Sequence, residues 1–170
     1  MDKNRKLPDL PKDETKAAFE CISMDGFLTD GGENGLAVID RHTGFIWAKK
    51  TGDIKTGTAK VVMSILMDML GCALYSVKRF KTDGGKNLIG GVIEEISKEL
   101  KIWQDTSSAY HAAGNKCIEN AIGRIKQVVG DRKLEDCKME IEALNLSQPY
   151  SNKTLTPFEE LLHESVATYK

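Results

Sequence analysis

The chain has 170 residues, 41% of them apolar and 29% charged, with a net charge of −1. That length suits one compact domain burying its own core. The charge balance excludes a wholesale basic surface, so any contact with nucleic acid must come from local clusters.

Residues 1–18 are polar, hold Pro8 and Pro11 and show no apolar period, so they read as a linker or N-terminal arm before a domain over 19–170. Residues 19–24 form a short apolar run closed by Asp25, the pattern of a buried strand. Gly31, Gly32 and Gly35 mark a turn. Residues 36–40 and 45–49 read as strands around a hairpin loop over 41–44, completing three antiparallel strands. Residues 58–70 carry Val61, Val62, Ile65, Leu66 and Met69 on one helical face, with Gly71 as the stop. A fourth strand over 74–80 runs out into Lys81, Thr82, Asp83, Gly84 and Gly85. Residues 87–100 predict a helix weakened by Gly90 and Gly91, and 102–104 a short fifth strand. A polar loop over 105–114 precedes a helix over 116–129 with Ile118, Ile122, Ile125 and Val129 along one side. Another helix covers 134–146. Thr156, Pro157, Phe158 and Glu159 spell a capping box with proline at the first helical position. Three meandering strands followed by alternating helices and strands predict an α/β domain: a five-stranded mixed sheet flanked by helices.

The four cysteines (Cys21, Cys72, Cys117, Cys137) and three histidines (His42, His111, His163) lack the paired spacing of a zinc site. With no signal peptide and no membrane-length apolar run, the expectation is a soluble intracellular protein with reduced thiols. Asp40 reads as a turn or ion-pair residue and Asp105 as a loop residue. Trp47 and Trp103 read as core or dimer-interface residues, His42 and His163 as surface residues, and Cys117 as packing at a helix start.

Three acidic residues stand where a sheet rim could gather them. Asp25 and Asp83 fall at strand ends and Glu119 in the first turns of a helix, with 35 residues between Asp83 and Glu119. Clustered carboxylates repel one another unless a cation joins them, and Mg²⁺ takes oxygen ligands while keeping several waters. Lys116, Arg124 and Lys126 lie around Glu119 and could meet phosphates.

The wording around these residues carries a resemblance. Residues 80–87, F-K-T-D-G-G-K-N, resemble the F-x-S/T-D-x-G segment around the second aspartate of integrases. Residues 108–119, S-A-Y-H-A-A-G-N-K-C-I-E, resemble their S-x-Y-H-P-x-x-N-G-x-x-E loop and helix start. Ala112 stands where proline is usual and Lys116 where glycine is usual. Met24-Asp25 after an apolar strand, with 36–41 and Phe45-Ile46, is similar to the family's first hairpin. Residues 156–162, T-P-F-E-E-L-L, look like the S/T-P-F-E-L-L helix of gypsy-type elements. Over about residues 19–165 the chain thus resembles the catalytic core domain of retroviral and retrotransposon integrases.

That resemblance implies a ribonuclease H-like fold and a Mg²⁺-dependent polynucleotidyl transferase. Its reactions would be 3′-end processing of element DNA and strand transfer into target DNA. Asp25, Asp83 and Glu119 would hold two Mg²⁺ or Mn²⁺ ions; Lys116, Arg124, Lys126 and His111 would contact DNA. It further implies a homodimer or higher assembly acting in the nucleus. Two alternatives stand beside it. One is a domesticated, non-catalytic core that binds DNA or protein; the other is a related ribonuclease H-like nuclease.

Overall fold

In the computed structural model, residues 15–51, 59–83, 88–107, 116–147 and 155–168 are described; 59–61, 83, 88–92, 105–107 and 163–168 are described in backbone only. Five strands form one sheet: β1 (Cys21–Leu28), β2 (Asn34–Asp40), β3 (Ile46–Lys50), β4 (Arg79–Asp83) and β5 (Trp103–Ser107), in the order β3-β2-β1-β4-β5. β1, β2 and β3 pair antiparallel, whereas β4 pairs parallel to both β1 and β5. Parallel neighbours need a crossover, and α1 (Ala59–Leu70) and α2 (Leu88–Leu100) supply it before and after β4. The remaining helices are α3 (Lys116–Val129), α4 (Lys138–Ala143) and α5 (Pro157–Thr168).

The sheet separates two cores. Ile22, Met24, Leu36, Val38 and Phe80 meet Val62, Ile65 and Leu66 of α1 and Ile93 and Ile96 of α2. Phe27, Ala37, Ile39 and Ile46 meet Ile118, Ala121, Ile125 and Val129 of α3, with Leu134, Cys137 and Ile141 beyond. Successive residues of β2 therefore enter opposite cores. This is why its run Leu36-Ala37-Val38-Ile39 is apolar throughout rather than alternating.

The β2–β3 turn is built on Asp40, which is fully buried. Its Oδ1 accepts from the backbone N–H groups of Phe19 (3.1 Å) and His42 (3.2 Å), and its Oδ2 from the Thr43 hydroxyl (2.7 Å) and N–H (3.3 Å). Gly44 closes the turn with φ +80°, a conformation that glycine adopts without steric cost. Trp47 is half-buried, packs on the first core and touches the rings of Phe19 and Phe45 at centroid distances of 5.7 and 4.7 Å. Trp103 is 39% exposed.

Several expectations are corrected. β1 does not close at Asp25 but runs on to Leu28, because its pairing with β2 continues to Leu28–Asn34. Residues 74–76 belong to a 3-10 turn over Gly71–Ser76, and β4 starts only at Arg79. The apolar Leu74 is buried from that turn, so its side chain mimicked a strand residue. β5 extends through position 105 to Ser107, since β4 offers it partners up to Asp83. The helix over 134–146 is a 3-10 turn (Leu134–Cys137), α4, and a second 3-10 turn (Leu144–Leu146). His42 is half-buried rather than on the surface, its Nδ1 3.0 Å from the Thr15 hydroxyl. The capping box forms as expected, with Glu159 N–H donating to Thr156 Oγ1 at 3.3 Å and Thr156 N–H to Glu159 Oε1 at 3.3 Å.

β3 lies at the sheet edge, where backbone groups lack a neighbouring strand. Asn145, buried among them, takes that place at one residue. Its Oδ1 accepts from Ile46 N–H at 2.7 Å and its Nδ2 donates to Ile46 C=O at 3.0 Å. In Asn145→Leu both groups of Ile46 would stay buried and unpaired, at about 1–3 kcal/mol each. Urea denaturation should show a loss of roughly 2–6 kcal/mol; a loss near zero would show that water replaces the amide.

Burial pushes the Asp40 carboxyl above its ordinary 3.8 despite the four hydrogen bonds that oppose it. The native state then holds this proton more tightly than the unfolded chain. The group's contribution to stability is accordingly greatest below the unfolded pKa and is lost as pH rises through the folded one. A ¹³C titration of the Asp40 carboxyl should give a midpoint above 3.8. A midpoint at or below that value would show that the hydrogen bonds outweigh burial.

Candidate active site

The register of β1 against β4 sets the site. Ile22 lies opposite Phe80, Ser23 opposite Lys81 and Met24 opposite Thr82, where the pairing ends. The next position on β1 is Asp25 and the next on β4 is Asp83, the last residue of that strand. The two aspartates expected to share a cation therefore stand side by side on adjacent parallel strands. Asp25 lies mid-strand, beside Ala37 of β2, and is half-buried. Its Oδ1 accepts from the N–H of Gly26 at 2.8 Å. Asp83 is described in backbone only.

Glu119 lies in the first turn of α3 and is exposed. α3 reaches the sheet over β1 and β2 through Ile118, Ala121 and Ile125. Beside this apolar seam lies a polar contact. The Cys117 thiol lies 3.8 Å from the hydroxyl of Ser23, and the Arg41 Nη1 donates to both, at 3.2 Å each. Ser23 precedes Asp25 by two residues and Cys117 precedes Glu119 by two, so the contact brings the first turn of α3 to the stretch of β1 that carries Asp25. Cys117 does pack at the helix start, as expected. Ser23 and Arg41 were missed, although a serine inside an apolar strand, two residues before a candidate ligand, was a visible signal.

The basic residues divide. Lys116 is exposed and Lys126 half-buried. Arg124 donates from Nη2 to Leu144 C=O at 3.3 Å and to the Ser147 hydroxyl at 3.1 Å, tying α3 to the turn after α4. At 100° per residue, Lys126 shares the flank of α3 that bears Glu119, and Arg124 shares that of Cys117. His111 lies outside the described residues. Among the described residues no group of three or more His, Cys, Asp or Glu side chains could hold a metal ion, and the side chain of Asp83 is outside that set. Asp25, Asp83 and Glu119 would offer only carboxylate oxygens, a donor set that suits Mg²⁺ or Mn²⁺ better than a metal preferring nitrogen or sulfur. No described helix is long and apolar enough to cross a membrane.

No protein-family model matches the chain, and no curated protein matches it in sequence. Solved structures do match in three dimensions. The catalytic core domain of BIV integrase superposes with a TM-score of 0.62 at 18% identity, over 89% of this chain and 99% of that one. A chain of the simian T-cell lymphotropic virus intasome, solved in complex with the PP2A regulatory subunit B56 gamma, gives a TM-score of 0.63 at 14% identity. That match covers 84% of this chain and 54% of the other, so the chain spans about half of that neighbour. A five-stranded mixed sheet in this order, with helices on both faces, is thus the ribonuclease H-like fold of retroviral integrase catalytic cores.

Proposed function

We propose that the chain is the catalytic core of an integrase: a polynucleotidyl transferase that processes the 3′ ends of element DNA and joins them to target DNA in the nucleus. The observation that carries this reading is the β1–β4 register, which makes Asp25 and Asp83 neighbours, with the first turn of α3 held against the same strand. Asp25, Asp83 and Glu119 would together hold two Mg²⁺ or Mn²⁺ ions. When bound, such ions supply charge neutralisation at the phosphate and activation of the attacking hydroxyl.

In the first reaction water cleaves a phosphodiester near the 3′ end. In the second the freed 3′-hydroxyl displaces a phosphodiester of the target. Both are in-line displacements without a covalent enzyme intermediate, so the protein's part is positioning and electrostatics. Asp25 and Asp83, on rigid strands, fix one side of the site; Glu119, on a helix, closes it. Lys126, with Lys116, suits phosphate contact on the Glu119 flank, and His111, which precedes α3 in the chain, would also contact DNA. Arg124 would reach DNA only by releasing Leu144 and Ser147. On this reading the chain works as a homodimer or higher assembly on element-end and target DNA, and the likeness to an intasome chain supports a multimeric assembly.

A strand-transfer assay on element-end and target DNA tests the reading. Asp25→Asn, Asp83→Asn and Glu119→Gln should each abolish joining, a loss larger than any weakening of DNA binding measured alongside accounts for. Wild-type protein that binds DNA but never joins it would favour the non-catalytic alternative, and cleavage of RNA–DNA hybrid without joining the nuclease. A cation that binds only the folded state stabilises it by RT ln(1 + [L]/Kd), about 1.4 kcal/mol at roughly ten times Kd. Mn²⁺ should therefore raise the melting temperature of the wild type. Asp83→Asn should blunt that response and, by removing like-charge repulsion, raise the melting temperature of the metal-free protein. An undiminished Mn²⁺ response in Asp83→Asn would remove it from the ligand set. Lys126→Ala should weaken binding to all DNA sequences alike and lower the slope of log K against log salt by about 0.9. An unaltered slope would return Lys126 to the ordinary surface.

A further inference from the structure

The apolar seam of α3 fixes how deeply the helix sits and which side faces the sheet, since Ile118, Ala121, Ile125 and Val129 are all buried; apolar contact is non-directional, so polar contacts are left to set the finer rotation. Glu119 is sensitive to that rotation. At 100° per residue, Cys117 and Glu119 lie about 200° apart around the helix, on opposite flanks of the seam. A turn of the helix that buried Cys117 more deeply would swing Glu119 outward.

The Cys117 flank is held at two points, both by arginine. Cys117 meets Arg41 and Ser23, and seven residues on, Arg124 holds Leu144 and Ser147. The first point is anchored in rigid backbone. Ser23 is almost fully buried on β1, and Arg41 follows the last residue of β2, with its own N–H on Cys21 C=O at 3.0 Å. The buried Asp40 network fixes the turn just beyond. Arg41 therefore reaches Cys117 from a backbone that cannot drift.

We infer that Arg41 is a positioning residue of the active site: by clamping Cys117 to Ser23 it sets the rotation of α3 and hence the presentation of Glu119 to a cation shared with Asp25 and Asp83. The inference rests on the integrase reading. It assigns no contact with substrate or metal to Arg41.

The test is Mn²⁺ titration of the purified chain, followed by water-proton relaxation. Removing a residue that orients a ligand typically weakens metal binding by about tenfold or more. Arg41→Gln should show about that loss. Cys117→Val removes the acceptor at similar size and should weaken binding in the same direction. Cys117→Ser, which keeps an acceptor, should restore affinity to near the wild-type value. The double variant Arg41→Gln/Cys117→Val should bind no more weakly than Arg41→Gln alone, since both break one contact. Ile118→Val is the control: it loosens the seam and lowers the melting temperature but should leave Mn²⁺ affinity in place. If Arg41→Gln does not fold, the comparison of Cys117→Val with Cys117→Ser decides. Wild-type binding that is absent, or that survives unchanged in Asp25→Asn and Glu119→Gln, would overturn the integrase reading and this inference with it. Binding that needs those carboxylates yet is equally tight in Arg41→Gln and Cys117→Val would overturn the positioning role alone.

Discussion

The parallel pairing of β1 with β4 is the constraint on which the rest of the molecule turns. Both strands lie in the sheet interior, with a core on either face, so neither tolerates an unpaired charge where side chains are enclosed. The β1–β4 pairing ends at Met24–Thr82 and the next residue on each strand is an aspartate, so the register brings two carboxylate positions together. A slip of one residue would exchange the faces of every side chain on the strand. It would drive Ile22 and Met24 out of the α1–α2 core and bring Ser23 and Asp25 in. The cores therefore enforce the register, and the register assembles the candidate site.

The two faces do different work. The α1–α2 face is filled by aliphatic and aromatic side chains and contributes burial, at about 25 cal/mol per Å² of apolar area. The α3 face adds polar contacts, Arg41 with Cys117 and Ser23, and Arg124 with Leu144 and Ser147. A typical intramolecular hydrogen bond adds only about 1 kcal/mol net, so these contacts matter less for stability than for direction. Burial decides that α3 lies on the sheet and which side it turns inward; the directional contacts of the two arginines add a finer constraint on its rotation.

What was legible in the sequence follows the same division. The limits of α3 could be read directly because its apolar period is long and bounded by Lys116 and the left-handed Gly130. The β2–β3 hairpin was legible because its turn chemistry is local, and the start of α5 because its capping box spans four residues. β1 was cut short at Asp25 because a charged residue reads as the end of an apolar run; only the partner strand reveals that the ladder continues. Leu74 suggested a strand because buried apolar residues look alike whether a strand or a 3-10 turn carries them. Asn145 and Arg41 were beyond reach of any local pattern. Asn145 acts on Ile46 and Arg41 on Cys117, each across a sequence gap that only the folded chain closes. Asp25 and Asp83 could be picked out from their neighbours in sequence, but the Arg41–Cys117 contact beside Glu119 could not.

A near-neutral chain that is to bind a polyanion through a cluster of carboxylates looks electrostatically mismatched, and the mismatch constrains the mechanism. Three carboxylates at the mouth of the site would repel a phosphate. Two divalent cations would reverse the sign of the local charge, and they count for more than any single side chain there. On the proposed reading the basic residues need not make the surface attractive on their own. They would need only to lie where the DNA continues beyond the cations, a place that Lys126, on the flank of Glu119, would suit, while Arg124 is turned the other way. The net charge of −1 is then no argument against DNA, since it counts the ligands of the cations and omits the cations. It is an argument that DNA binding and cation binding are one linked equilibrium, in which each strengthens the other by the same factor.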